Sequence, residues 1–234
     1  MADKKRRHED TVSHYHDEYD KAIFIAGEKE IHFNAQIDGG TISRIKKLIS
    51  LIVDDNKECL IKRLDPSESH VSHVSHQDDK RTSGKKVKDP DVVITYIVNS
   101  PGGSVIDILD FVDYIQLLRK TYLNLKFTSI ITGMCASAAT IMCVIADKKQ
   151  MTRFAFAMIH ELSTGLNRSN YTKVINHGSF IKSMHNHLLT IYNEFRGIGM
   201  DDQAEIAKIE DMMLRETWMT ADEYRGHGFV EEIL

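Results

Sequence analysis

An apolar, β-branched run, Phe127 to Thr132, leads into Gly133-Met134-Cys135-Ala136-Ser137-Ala138-Ala139-Thr140, and a second apolar run, Ile141 to Ala146, follows. The pattern reads as a buried strand, a glycine at the turn, then a helix with Ser137 at or near its first residue. Every residue from Cys135 to Ala139 is small. Two explanations fit. Small residues let a helix pack closely, and a serine there can simply be an N-cap. They also let a substrate backbone reach a hydroxyl at the positive end of a helix dipole, where an alkoxide or oxyanion is stabilised. The stretch alone does not choose between them.

A second unit of the same kind precedes it. Val92-Val93-Ile94-Thr95-Tyr96-Ile97-Val98 is continuously apolar and reads as a central strand of a parallel sheet, covered on both faces. It ends in Asn99-Ser100-Pro101-Gly102-Gly103, after which Ser104 and Asp107 form a capping-box pattern and Val105, Ile108, Leu109, Val112 and Ile115 a buried stripe. Upstream, residues 22–26 suit a first strand. A helix from Thr41 to about Val53 places Ile42, Ile45, Ile49 and Ile52 on one face. Downstream the spacing predicts a strand pair at 150–152 and 155–159 and a long helix from about Asn170 to Phe195, ended by Gly197 and Gly199. A short acidic helix from about Asp202, a helix opened by Thr220 with Glu223, and a last strand near 229–233 complete the chain. Strands alternating with helices imply an α/β domain of right-handed βαβ units, with a parallel core sheet and a long helix in the C-terminal half.

With 234 residues and 42% hydrophobic content the chain can bury one full core. Residues 1–20 are polar and dotted with histidine, and read as a mobile arm; 21–234 read as the domain, with a flexible insertion at 55–89. There Ser, His, Asp and Lys dominate, too few apolar groups to offset ordering entropy. His70, His73 and His76 recur every third residue, which permits metal capture. A polar loop is the simpler reading, because no Cys or carboxylate stands at a tetrahedral spacing with them. A net charge of −4 argues against general nucleic-acid binding, and no run is long enough to span a membrane. The basic cluster Lys4 to Arg7 has no apolar region behind it and acidic residues follow, which argues against a secretory or transit signal. Cys59, Cys135 and Cys143 are odd in number and fit a reduced, cytoplasmic protein.

Adjacent parallel strands deliver their following turns to one edge of a sheet. Pro101-Gly102-Gly103 and Gly133–Ser137 can therefore sit side by side. The glycines are either a tight strand-to-helix turn or, beside a serine, backbone donors for an oxyanion. A serine nucleophile needs a base, and His160 emerges directly from the apolar run Phe156-Ala157-Met158-Ile159. A satisfied core histidine is the competing reading. Glu216, flanked by apolar anchors in Leu214-Arg215-Glu216-Thr217-Trp218, could orient the imidazole or be an ordinary surface charge.

Four segments in order, Asn99-Ser100-Pro101-Gly102-Gly103-Ser104, Gly133 to Ala139, Met158-Ile159-His160 and Arg215-Glu216-Thr217-Trp218-Met219-Thr220-Ala221, closely resemble the Clp protease proteolytic subunit family. The resemblance runs from about Lys21 to Leu234. It implies a serine endopeptidase with nucleophile Ser137, base His160, Glu216 as third member, and an oxyanion hole from the N–H groups of Gly103 and Ala138. It further implies stacked heptameric rings, a tetradecamer enclosing a chamber, in which unfolded polypeptides fed by a hexameric AAA+ unfoldase are cut. No metal or organic cofactor is implied. The chain departs from the family in having Glu216 where Asp is usual, Glu161-Leu162 where Gln-Pro is usual, and a much longer insertion. Three other readings compete: a crotonase-type acyl-CoA hydratase or isomerase on the same architecture, a Ser-Lys enzyme using Lys148 or Lys149, and a ring subunit without catalysis.

Overall fold

The computed structural model describes residues 21–63, 90–197, 199 and 202–234. The expected N-terminal arm, the histidine tract and most of the insertion lie outside them. An eight-stranded, mostly parallel sheet organises the rest. Its main path runs β1 (Ile23–Ile25), β2 (Glu30–Phe33), β3 (Val92–Ser100), β4 (Leu125–Ala136), β5 (Lys148–Met151) and β8 (Glu232–Ile233); β6 (Phe156–Ile159) branches off β4 and carries β7 (Thr217–Thr220). Only β1–β2 and β6–β7 are antiparallel. The helices are α1 (Gly39–Asp55), α2 (Val105–Thr121), α3 (Ala138–Val144), α4 (Tyr171–Phe195), α5 (Gln203–Leu214) and α6 (Ala221–Gly226).

Local chemistry accounts for the helix starts. Asp38 caps α1 reciprocally with Thr41, and Thr220 caps α6 reciprocally with Glu223. Asn170 and Asp202 cap α4 and α5. At α2 only half the expected box forms: the Ser104 hydroxyl accepts from the Asp107 N–H. The isoleucine stripe of α1 is buried as its spacing requires, joined by Leu48 and Val53.

Three expectations change. β3 is covered on one face only: Val92, Ile94, Tyr96 and Val98 are buried, whereas Val93 is 39% exposed. β-Branched residues favour the pleated backbone on either face, so a continuous apolar run does not prove double burial. The strands at 148–151 and 156–159 do not pair with each other; both lie parallel to β4, on successive halves of it. Gly133 is not the turn before a helix. β4 continues to Ala136, and its register with β3 jumps from Val98↔Ile131 to Ser100↔Cys135. The extra residues form a bulge, where Gly133 takes φ 57° and a side chain would strike Asn99 Oδ1 at 2.8 Å. Asn99 Oδ1 also accepts from the Met134 N–H at 3.1 Å. The bulge bends β4 so that its first half pairs β5 and its second half pairs β6.

The described chain stays with the body past the expected start of the insertion. A 3₁₀ turn (Lys57–Cys59) follows α1, and Leu60 is buried. The buried Asn124 side chain accepts from Ile61 N–H (2.8 Å) and donates to the carbonyls of Cys59 (2.8 Å) and Pro90 (3.1 Å). One amide thus ties together the two chain segments that flank residues 64–89.

Candidate active site

β3 and β4 are neighbours, and their C-terminal ends bring the two small-residue turns into contact. A side chain on Gly102 (φ 89°) would overlap the Ala136 carbonyl and lie 2.7 Å from Ser137 Cβ and 3.0 Å from Ala138 N. Only glycine fits there. The Gly102 N–H is taken by Ser100 Oγ at 3.1 Å, and its carbonyl by the Ile37 N–H at 2.8 Å. The next N–H, of Gly103, has no hydrogen-bond partner among the described residues, and Ala138, first in α3, has no intrahelical acceptor for its own. Both residues line one cavity with Ser137 and His160.

Ser137 occupies φ 56°, ψ −128°, a strained backbone for a side-chain-bearing residue. It stands at the N-cap position of α3, yet its hydroxyl makes no capping bond. Oγ lies instead 2.7 Å from His160 Nε2. The N-cap reading gives way to this contact. Because α3 spans only seven residues, any stabilisation of negative charge here comes from its first N–H groups rather than from a long helix dipole. His160 follows β6 directly, and β6 is anchored to β4 by the Ser137 N–H to Met158 carbonyl bond at 2.7 Å.

Glu216 lies one residue beyond the Ile159↔Thr217 pair, on the segment facing His160. The structure does not bring its carboxylate to the imidazole. Glu216 is exposed at φ 51°, with its N–H on the Met213 carbonyl at 3.2 Å, and its side chain has no hydrogen bond or ion pair among the described residues. The left-handed backbone at the end of α5 turns the side chain outward. Arg215 pairs with Asp211 of its own helix at 2.8 Å. Lys149 is held by Glu231 at 2.8 Å and the Phe195 carbonyl at 3.1 Å, and Lys148 by Glu232 at 3.0 Å, so neither lysine serves Ser137.

The cavity beside Ser137 measures about 270 Å³, and its walls include Ile141, Met184, Leu188 and Tyr192. These residues escaped the sequence reading. Met184, Leu188 and Tyr192 recur every fourth residue along α4, a spacing that marks a buried stripe and could have pointed to them. The free thiols of Cys135 and Cys143 are buried 3.6 Å apart, and burial pushes the Cys143 thiol well above its usual range. No group of His, Cys, Asp or Glu among the described residues is arranged to hold a metal ion, and no described helix is long and apolar enough to cross a membrane.

The family model for Clp protease matches residues 85–234, well over half of the chain. This chain belongs to the Clp protease family. Among its relatives is the ATP-dependent Clp protease proteolytic subunit 1 of Protochlamydia amoebophila (strain UWE25), 27% identical over 152 residues, which cover 64% of this chain and 68% of that protein. The namesake from Chlamydia abortus (strain DSM 27085 / S26/3) is 28% identical over 152 residues, or 64% and 73% of the two chains. An ATP-dependent Clp protease proteolytic subunit of Bacteroides fragilis (strain ATCC 25285) is 28% identical over 148 residues, or 62% and 66%. The Clp protease match begins after the histidine tract and takes in both small-residue turns, His160 and Glu216.

Proposed function

We propose that this Clp protease family member is a serine endopeptidase subunit that cleaves unfolded polypeptide. The observation that carries the reading is the 2.7 Å contact of Ser137 Oγ with His160 Nε2 at the rim of an apolar cavity. Ser137 Oγ attacks the scissile carbonyl while Nε2 takes its proton. The N–H groups of Gly103 and Ala138 hold the tetrahedral oxyanion, His160 protonates the leaving amine, and water frees the acyl-enzyme. For Nε2 to accept, Nδ1 must carry the ring hydrogen. We assign its acceptor to Glu216, which reaches the imidazole when its side chain turns inward from the facing segment. Ile141, Met184 and Leu188 give the cavity the character of a seat for an apolar side chain next to the cut bond.

By analogy with the relatives named above, the chain works as the proteolytic part of an ATP-dependent machine; the motif resemblance further implies stacked heptameric rings served by an AAA+ unfoldase in the cytoplasm. ATP is then consumed by the partner. The assignment of residues 21–234 to one peptidase domain belongs to the same reading. Fluorophosphonate labelling tests the chemistry directly. The wild-type protein should be labelled at Ser137, and Ser137→Ala and His160→Ala should each lose labelling and several orders of magnitude of peptide turnover. Normal cleavage by purified Ser137→Ala would overturn the assignment.

A further inference from the structure

We propose that Tyr192, acting through Thr140, is a positioning residue that fixes the Ser137–Ala138 peptide plane and so aims the Ala138 N–H at the developing oxyanion. This inference rests on the reading of Ser137 as the nucleophile. The strained backbone of Ser137 needs holding in place. Its N–H is held by the Met158 carbonyl at 2.7 Å, and its carbonyl is held twice by Thr140, from N–H at 3.0 Å and from Oγ1 at 2.6 Å. Thr140 has one hydroxyl hydrogen, and that hydrogen goes to the Ser137 carbonyl. In the second 2.6 Å contact of Oγ1, to Tyr192 Oη, the phenol is therefore the donor.

A trans peptide unit sets its C=O and N–H antiparallel in one plane. Whatever orients the Ser137 carbonyl thereby orients the Ala138 N–H. Tyr192 comes from α4, 52 residues away, and is buried with its ring edge-on to Phe229 at 5.7 Å, so its hydroxyl is a fixed point. Burial also pushes the phenol's pKa well up, so the donor proton is kept at neutral pH. Without the hydroxyl chain, the Ser137–Ala138 plane can relax toward a less strained backbone and swing its N–H off target. That loss falls on the transition state and leaves ground-state binding alone.

Tyr192 also walls the cavity, so the test must separate wall from lock. Tyr192→Phe keeps the ring and removes only the hydroxyl. Turnover of a fluorogenic peptide and affinity for a peptide boronate, whose serine adduct carries an oxyanion-like oxygen, are measured for Tyr192→Phe, Thr140→Val, Thr140→Ser and the double variant Tyr192→Phe/Thr140→Val. The expected result is a kcat lower by roughly three- to tenfold in Tyr192→Phe and by about ten- to a hundredfold in Thr140→Val. KM should stay within about twofold, and boronate affinity should fall in step with kcat/KM. Thr140→Ser should restore the wild-type values, and the double variant should be no worse than Thr140→Val, because the two groups act in series. Wild-type kcat and boronate affinity in Tyr192→Phe, or a raised KM with unchanged kcat, overturn the positioning role. So does equal loss in Thr140→Val and Thr140→Ser, a comparison that needs no change at Tyr192. If the wild-type protein takes no fluorophosphonate at all, the peptidase reading fails and the inference with it; a labelled wild type matched by Tyr192→Phe defeats the inference alone.

Discussion

Ser137 and His160 touch, while Glu216 stands opposite the histidine with its carboxylate in solvent. A glutamate carries the charge of an aspartate on a chain one methylene longer, and it can bend back to Nδ1 only if its left-handed backbone tolerates the turn. If Glu216 completes the triad, Glu216→Gln should keep the shape and remove the charge that favours imidazolium. Turnover should then fall on the order of a hundredfold or more, with particle size unchanged. Glu216→Asp should be milder, limited by a displacement of about one bond length. Peptide turnover and sedimentation measured on the same samples decide the matter: an intact Glu216→Gln particle at full rate would leave a Ser137–His160 dyad.

At the scale of elements, the position of Ser137 depends on how closely two strand ends approach. Gly102→Ala forces a methyl group against the Ala136 carbonyl and Ser137 Cβ. Overpacking of this kind costs about 1–3 kcal/mol, so a lower urea midpoint is expected. If Ser137 is the nucleophile, peptide turnover should drop more than about a hundredfold, because the strain falls on its own backbone. Full turnover in Gly102→Ala would show that the two turns can part without harm. This juxtaposition was legible in the sequence, because apolar runs ending in small-residue turns follow directly from side-chain size and strand topology. The starts of α4, α5 and α6 were legible for a similar reason: the capping side chain and its N–H partner lie within three residues. β2 was not legible. Glu30-Ile31-His32-Phe33 is too short and polar to stand out, and it becomes a strand only by pairing with β1 and β3. Nor was the bulge at Gly133, since a glycine after a strand run signals a turn as readily as a bend. The Thr140–Tyr192 contact joins residues 52 positions apart, and no local pattern announces such a bond.

At the scale of the whole molecule, the Clp protease match covers hardly any of the segment from 64 to 89. Replacing residues 64–88 with a short Gly/Ser linker should leave small-peptide hydrolysis within about twofold of wild type, because changing the length of a polar connection alters closure entropy little. Sedimentation of the same protein should still give a closed particle of roughly fourteen subunits. Loss of the particle or of turnover would make the segment part of the working architecture. Asn124 has a bearing beyond that experiment. One side-chain amide pins both flanking segments to the same residue of the body. If the linker variant keeps its particle and its turnover, the two pinned flanks are a natural socket: a lineage could lengthen, trim or exchange what they carry, and an experimenter could graft a fluorophore or tether there.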